Sequence, residues 1–238
     1  MRSEIEKQRL TLVQELEKHR KPPGDFPLQS YLGSPYPVLG LSTPTIRRIL
    51  SDFVKSNGGL SISHVNRLSN SLWKGKTFEE KIVAIGLLNR FHRILDQHTW
   101  RIMDSWIEQA KGWALCDSLG SGPISTMLQQ DRTKFRDVLK WTRAENFWRR
   151  RISTYALRSL VHDKDLKQPF VVLEKLLYDD EFWVQRAVGT WLRECWKRNQ
   201  RQTESFLLKH AKGMPRVTIT VATERAPRFF REKLRRMS

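Results

Sequence analysis

Cysteine is scarce. Cys116 and Cys195 are the only two in 238 residues, too few for a disulfide framework and at no zinc-ligand spacing. The six histidines (His19, His64, His92, His98, His162 and His210) also lack ligand spacing, so no metal is expected. There is no Gly-rich phosphate loop, no dinucleotide fingerprint and no Gly-x-Ser-x-Gly elbow, and no cofactor is expected. The longest apolar stretch, Ile82 to Leu88, is far too short to cross a bilayer. The opening Met1-Arg-Ser-Glu-Ile-Glu-Lys alternates charge and lacks the apolar stretch of a secretory signal. A protein of the reducing cytoplasm, without membrane contact, is the expectation. Strand-like alternation is nearly absent too, with Val217 to Val221 the one stretch that reads either way.

Acid is in short supply. Forty-three Lys and Arg against 25 Asp and Glu leave a formal charge of +18. Such a balance suits nucleic acid, an anionic membrane or an acidic protein. The cations are spread through helical segments, as in Arg149-Arg150-Arg151 and Arg193 to Arg201, with Arg228 to Arg236 the one concentrated run. Distributed cations on an ordered surface fit a phosphate backbone better than a lipid anchor.

What is present is helical periodicity. Ile82, Ile85 and Leu88 share one face, and Ile152, Tyr155 and Leu160 nearly share another. Breakers punctuate the chain at Pro22-Pro23-Gly24, Pro35, Pro37, Asn57-Gly58-Gly59, Gly120 to Pro123, Gly213 and Pro215. Thr43-Pro44 places a capping hydroxyl before a first-turn proline, so a helix should begin there. An aromatic returns every 35 residues at Phe78, Trp113, Trp148 and Trp183, and in three of these windows a cation follows three places later: Lys81, Arg151 and Arg186. That period accommodates two helices and a turn, the unit of an α-solenoid. The expected fold is all-α, a HEAT-like helical-repeat solenoid over residues 1–238 as a single monomeric domain. Its concave face would be basic if the phased cations point into it.

Four places after each phased aromatic stand Ile82, Asp117, Ile152 and Ala187. A carboxylate at an otherwise apolar slot is a candidate functional group. Trp113 and Asp117 share one helix face, bringing an electron-rich ring beside a full negative charge. The blander alternative makes Trp113 a core residue and Asp117 a cap for the next helix. Arg151 offers bidentate phosphate geometry, or else merely a solvated face. Tyr31, between breakers, could touch either core or ligand.

These residues also carry a likeness. Gly112-Trp113-Ala114-Leu115-Cys116-Asp117-Ser118, Asn146-Phe147-Trp148-Arg149-Arg150-Arg151 and Glu181-Phe182-Trp183-Val184-Gln185-Arg186-Ala187-Val188-Gly189 resemble the AlkD-like DNA alkylation repair glycosylases, as do Tyr31 and Leu39-Gly40-Leu41-Ser42-Thr43-Pro44. The likeness runs from about Tyr31 to about Glu194. It implies a HEAT-like solenoid that binds double-stranded DNA and hydrolyses the N-glycosidic bond of N3- and N7-alkylated purines without drawing the base into a deep pocket. By position it makes Asp117 the catalytic carboxylate, Trp113 a deoxyribose-contacting indole, and Arg151 and Tyr31 DNA contacts; Arg186 and Arg193 fall at further basic helical positions.

One departure stands out. Where the family carries a second indole after Ala-x-Gly, this chain has Thr190, with Trp191 one place later. A one-residue shift turns a side chain by ~100°. Trp191 is then either a displaced second aromatic wall or a core residue. Three functions remain in play: a glycosylase, a non-catalytic binder of bent or branched duplex, and a helical scaffold for an acidic protein.

Overall fold

A computed structural model of the chain describes residues 3–57 and 59–238, and every regular element among them is helical. The α-helices in order are α1 (Glu4–Lys18), α2 (Leu28–Leu32), α3 (Thr43–Ser56), α4 (Ile62–Trp73), α5 (Phe78–Arg90), α6 (Gln97–Ile107), α7 (Trp113–Leu119), α8 (Ser125–Gln130), α9 (Phe135–Trp141), α10 (Phe147–Tyr155), α11 (Arg158–His162), α12 (Lys167–Lys175), α13 (Phe182–Arg198), α14 (Gln200–Lys209), α15 (Arg216–Ala222) and α16 (Arg228–Met237), with short 3-10 turns at His92–Ile94 and Arg132–Lys134 and a π-helical turn at Gly120–Ile124. The ambiguous Val217–Val221 stretch lies within α15, its Thr218 and Ile219 buried. Among the described residues no helix is long and apolar enough to cross a membrane.

Local signals explain several starts. Ser42 caps α3 by accepting the Thr45 N–H, one residue before the expected Thr43. Pro44 then occupies a first-turn position whose N–H would have had no partner in the helix anyway. Thr77 and Glu80 close a reciprocal capping box on α5, and Asp96 with Thr99 does the same on α6.

Two compact units divide the chain, Met1–Met127 and Leu128–Ser238. In the first, Trp73 and Trp106 stack with centroids 4.6 Å apart and planes 5° from parallel. Their buried indole N–H groups donate to Gln109 Oε1 and Asn70 Oδ1, at 3.0 and 3.1 Å, which removes the penalty of burying them. In the second, the 17-residue α13 carries the core through Val184, Val188, Leu192 and Trp196. Gly189 lets α15 approach it: a Cβ there would lie 2.7 Å from Val221 Cβ and 2.9 Å from the Thr218 carbonyl oxygen. The Ala-x-Gly piece of the sequence is therefore a helix-packing signal.

The 35-residue period marks helix starts. Phe78 and Trp113 are the first residues of α5 and α7, while Trp148 and Trp183 are the second residues of α10 and α13. The cations three places on do not all face solvent, which corrects the expectation of a groove lined by the three. Lys81 is buried, donating to the Trp73 and Gly75 carbonyls at 2.6 and 3.0 Å with its ammonium 4.1 Å from the Tyr36 ring centroid. Burial holds its pKa below the ordinary lysine value, against the opposing pull of Glu80. Arg151 is only 4% exposed, its guanidinium donating to the Trp183 carbonyl and, at 3.1 Å, to the Tyr155 hydroxyl. The physical reason is that each long cation reaches backbone carbonyls of a neighbouring segment: for Lys81 those at and just beyond the C-terminal end of α4, where no helical N–H follows, and for Arg151 the one at the second residue of α13. Of the three, Arg186 alone is exposed.

Replacing Lys81 by methionine keeps the aliphatic stem but removes the donors to both carbonyls. Lys81→Met should lower stability by about 1–3 kcal/mol in urea denaturation; an unchanged midpoint would show that the ammonium contributes nothing there.

Candidate functional site

The first unit holds a cavity of about 880 Å³. Its walls come from α2, α3, α5 and α7, chiefly through Leu28, Leu32, Ile46, Leu50, Ile82 and Ile85. Trp113 and Asp117 both line it, one helical turn apart on the seven-residue α7. Both are half-buried. After α7 the chain bends at Gly122 (φ −93°, ψ −113°), where an added Cβ would meet Asn89 Nδ2 at 2.8 Å. Ser121 in that bend donates to the Asp117 carbonyl at 2.5 Å.

Ile82, the counterpart of Asp117 in the preceding repeat, lines the same cavity, whereas Ile152 and Ala187 are fully buried. The apolar slot is thus a core position in the second unit and a wall position in the first. A carboxylate is tolerated at 117 because that wall is open.

Tyr31 belongs to this site. The Trp113 indole N–H donates to the Tyr31 carbonyl at 2.5 Å, and the two rings meet edge to face with centroids 5.4 Å apart. Phe26 adds a third ring, 5.3 Å from Tyr31. Tyr31 remains 55% exposed, so the cluster presents an aromatic surface to solvent. Two glycines make the arrangement possible. Gly33 and Gly112 both have positive φ, 63° and 86°, and a Cβ on Gly112 would lie 2.3 Å from the Gly33 carbonyl oxygen.

Sequence reasoning missed several groups here. Glu79 is buried and accepts from the Leu39, Gly40 and Leu41 N–H groups at 2.9, 3.0 and 3.3 Å, which fixes the loop ahead of α3. Its position directly after the phased aromatic Phe78 gave no cue to that role. Arg47, Asn89, Arg90, Ser118 and Ser121 also line the cavity. Ser121 stands four places beyond Asp117 and could have been read from helical spacing, with Ser118 adjacent to Asp117; Arg47, Asn89 and Arg90 are gathered from other helices.

The remaining sequence-read residues lie in the second unit. Arg151 stacks over Tyr155 and Trp183, with 5.0 and 5.8 Å to the ring centroids. Trp191 is 6% exposed and meets Tyr155 edge to face at 5.6 Å, so it takes the core alternative rather than forming a solvent-facing wall. Thr190 is half-buried and donates to the Arg186 carbonyl at 2.9 Å. Arg186 is exposed, its guanidinium 5.7 Å from the centroid of the exposed Phe182 ring. Arg193 is half-buried and pairs with Glu224 and, at 3.6 Å, with Glu194, which offsets its charge.

Comparison with known proteins follows the same lines. The family described as DNA alkylation repair enzyme matches residues 12–226. No curated protein sequence matches significantly. Among solved structures, a predicted DNA alkylation repair enzyme from Enterococcus faecalis superposes with a TM-score of 0.75 at 15% identity, covering 84% of this chain and 93% of its own. AlkD2 from Streptococcus mutans gives 0.66 at 13% identity, covering 91% and 98%. The protein smu.31 from Streptococcus mutans UA159 gives 0.63 at 14%, covering 93% and 98%. At these identities the likeness speaks to the fold, and the all-α helical-repeat class read from the sequence is the one observed.

Gly112→Ala would force a side chain against the Gly33 backbone at a positive φ. It should destabilise the protein by about 1–3 kcal/mol in urea denaturation. Gly24→Ala, where an added Cβ meets nothing within 4 Å, is the control and should leave the midpoint unchanged.

Proposed function

Since the chain belongs to the DNA alkylation repair enzyme family, we propose that it hydrolyses the N-glycosidic bond of N3- and N7-alkylated purines in duplex DNA. The observation that carries this reading is Asp117 on the wall of the large cavity, one turn from Trp113.

The chemistry needs only one carboxylate. Glycosidases that expel a neutral leaving group use a second as general acid. A purine alkylated at N3 or N7 already carries positive charge. When its bond to C1′ breaks, the electron pair stays on the purine and neutralises it, with no proton required. Cationic character passes to the deoxyribose, where Asp117 stabilises it and the indole face of Trp113 adds its quadrupole. Water then adds to C1′ and gives up a proton, which Asp117 is suited to accept.

The other lining groups suit a nucleotide. Arg47 and Arg90 contribute cations to the cavity lining, fitting flanking phosphates, while the apolar wall excludes water from the sugar. Tyr31, exposed beside Trp113, is the aromatic DNA contact of this reading. In the second unit Arg186 serves as a phosphate contact, and Arg193 as a weaker one because two carboxylates already face it. Arg151 acts through position, tying α10 to α13.

A second reading, DNA binding without base excision, draws on Thr190 and Trp191. With Trp191 turned into the core, the sugar would meet a single aromatic wall.

Asp117→Asn should reduce release of 7-methylguanine or 3-methyladenine from methylated duplex by about a hundredfold or more while DNA affinity changes little. Full activity in that variant would remove Asp117 from the mechanism, and no release by the native protein would favour the second reading. Arg186→Ala should lower the log–log salt slope of duplex binding by about one unit. Arg151→Ala should instead lower thermal stability and leave the slope unchanged; the reverse pattern would return Arg151 to the DNA interface.

A further inference from the structure

The chain's one concentrated basic run forms α16, which begins at Arg228, beyond the family match at 12–226. Phe230 and Leu234 bury its apolar side, with the Phe230 ring 5.1 Å from Trp196. The remaining surface is cationic. Arg228 pairs with Glu232 at 2.7 Å, and among the described residues no ion pair involves Arg231, Lys233, Arg235 or Arg236. Arg231 and Arg235 stand four apart, a like-charge spacing that disfavours a helix until an anion lies along it.

A hollow of about 300 Å³ adjoins this surface, lined by Arg216, Ile219, Thr220, Arg235 and Ser238. Two guanidiniums and two hydroxyl-bearing side chains suit the paired oxygens of a phosphodiester. Phe229 is 72% exposed, and Lys233 and Arg236 follow it at helical spacing on the same stripe. An aromatic ring flanked by cations can pack on a sugar or an unpaired base.

We infer that α16, together with Arg216 and Thr220 of α15, is a second DNA-binding surface that grips the phosphate backbone away from the alkylated base. A membrane-surface helix would turn its apolar face outward, whereas Phe230 and Leu234 face the core here. The inference rests on DNA as the substrate and not on the chemistry assigned to Asp117.

The test uses undamaged, fluorescently labelled duplex, so base release plays no part. In the full chain, Arg231, Lys233, Arg235 and Arg236 are each changed to glutamine, leaving Phe230 and Leu234 in place. The log–log salt slope of binding should fall by about three to four units, and affinity at about 0.1 M salt by more than tenfold, with the thermal midpoint retained. A slope within about one unit of the native value would overturn the proposal. So would a loss confined to binding of vesicles made of equal parts phosphatidylserine and phosphatidylcholine. Should the fourfold variant fail to fold, the double variant Arg216→Gln, Arg235→Gln removes the hollow's two guanidiniums. It should then lower the slope by about two units, and an unchanged slope would refute the surface.

Discussion

The backbone of Gly33 lies against that of Gly112, closer than any side chain would allow. That contact seats α2 on the start of α7 and brings the Tyr31 carbonyl within reach of the Trp113 indole N–H. The aromatic cluster follows from it. With Trp113 held by its ring nitrogen, the rest of α7 is oriented, and Asp117 one turn later takes its place on the cavity wall. Glu79, itself in the lining, performs a parallel service for the loop that brings Leu41 there, since one carboxylate gathers three successive N–H groups of residues 39–41. Both stretches are therefore fixed by polar contacts to backbone, which are directional, while the apolar lining supplies volume.

Charge is divided between structural and outward-facing roles. Lys81 and Arg151 serve the frame by satisfying carbonyls near helix ends. Arg150 does likewise, binding Asp179 at 2.6 Å and the Ala144 and Glu145 carbonyls at 2.9 and 3.0 Å. Arg186 and, on α16, Arg228, Lys233, Arg235 and Arg236 face solvent, with Arg231 half-buried. A formal charge of +18 thus overstates the surface available to a polyanion, and what matters for binding is where the uncommitted cations stand.

Much of this was legible in the sequence. Helical spacing and a 35-residue aromatic period gave the all-α repeat fold, and the period coincides with helix starts. The pairing of Trp113 with Asp117 on one short helix could be read because i and i+4 share a face on any helix. The burial of Lys81 and Arg151 was not legible, because their partners are backbone carbonyls, which sequence patterns do not display. Glu79, Asn89 and Arg47 were missed for a related reason: the cavity assembles them from α5 and α3, and only packing brings them together. The turn of Trp191 into the core sat between the two, since its one-residue offset fixed a rotation but left the direction of the core open.

The helical path of α7 does not stop at Leu119. Residues 120–124 carry it on as a wider turn into α8, bent at Gly122, so the Asp117 carbonyl is met by the Gly120 N–H and the Ser121 hydroxyl. The backbone there is quenched by its own donors, so whatever field position 117 casts into the cavity originates in its side chain.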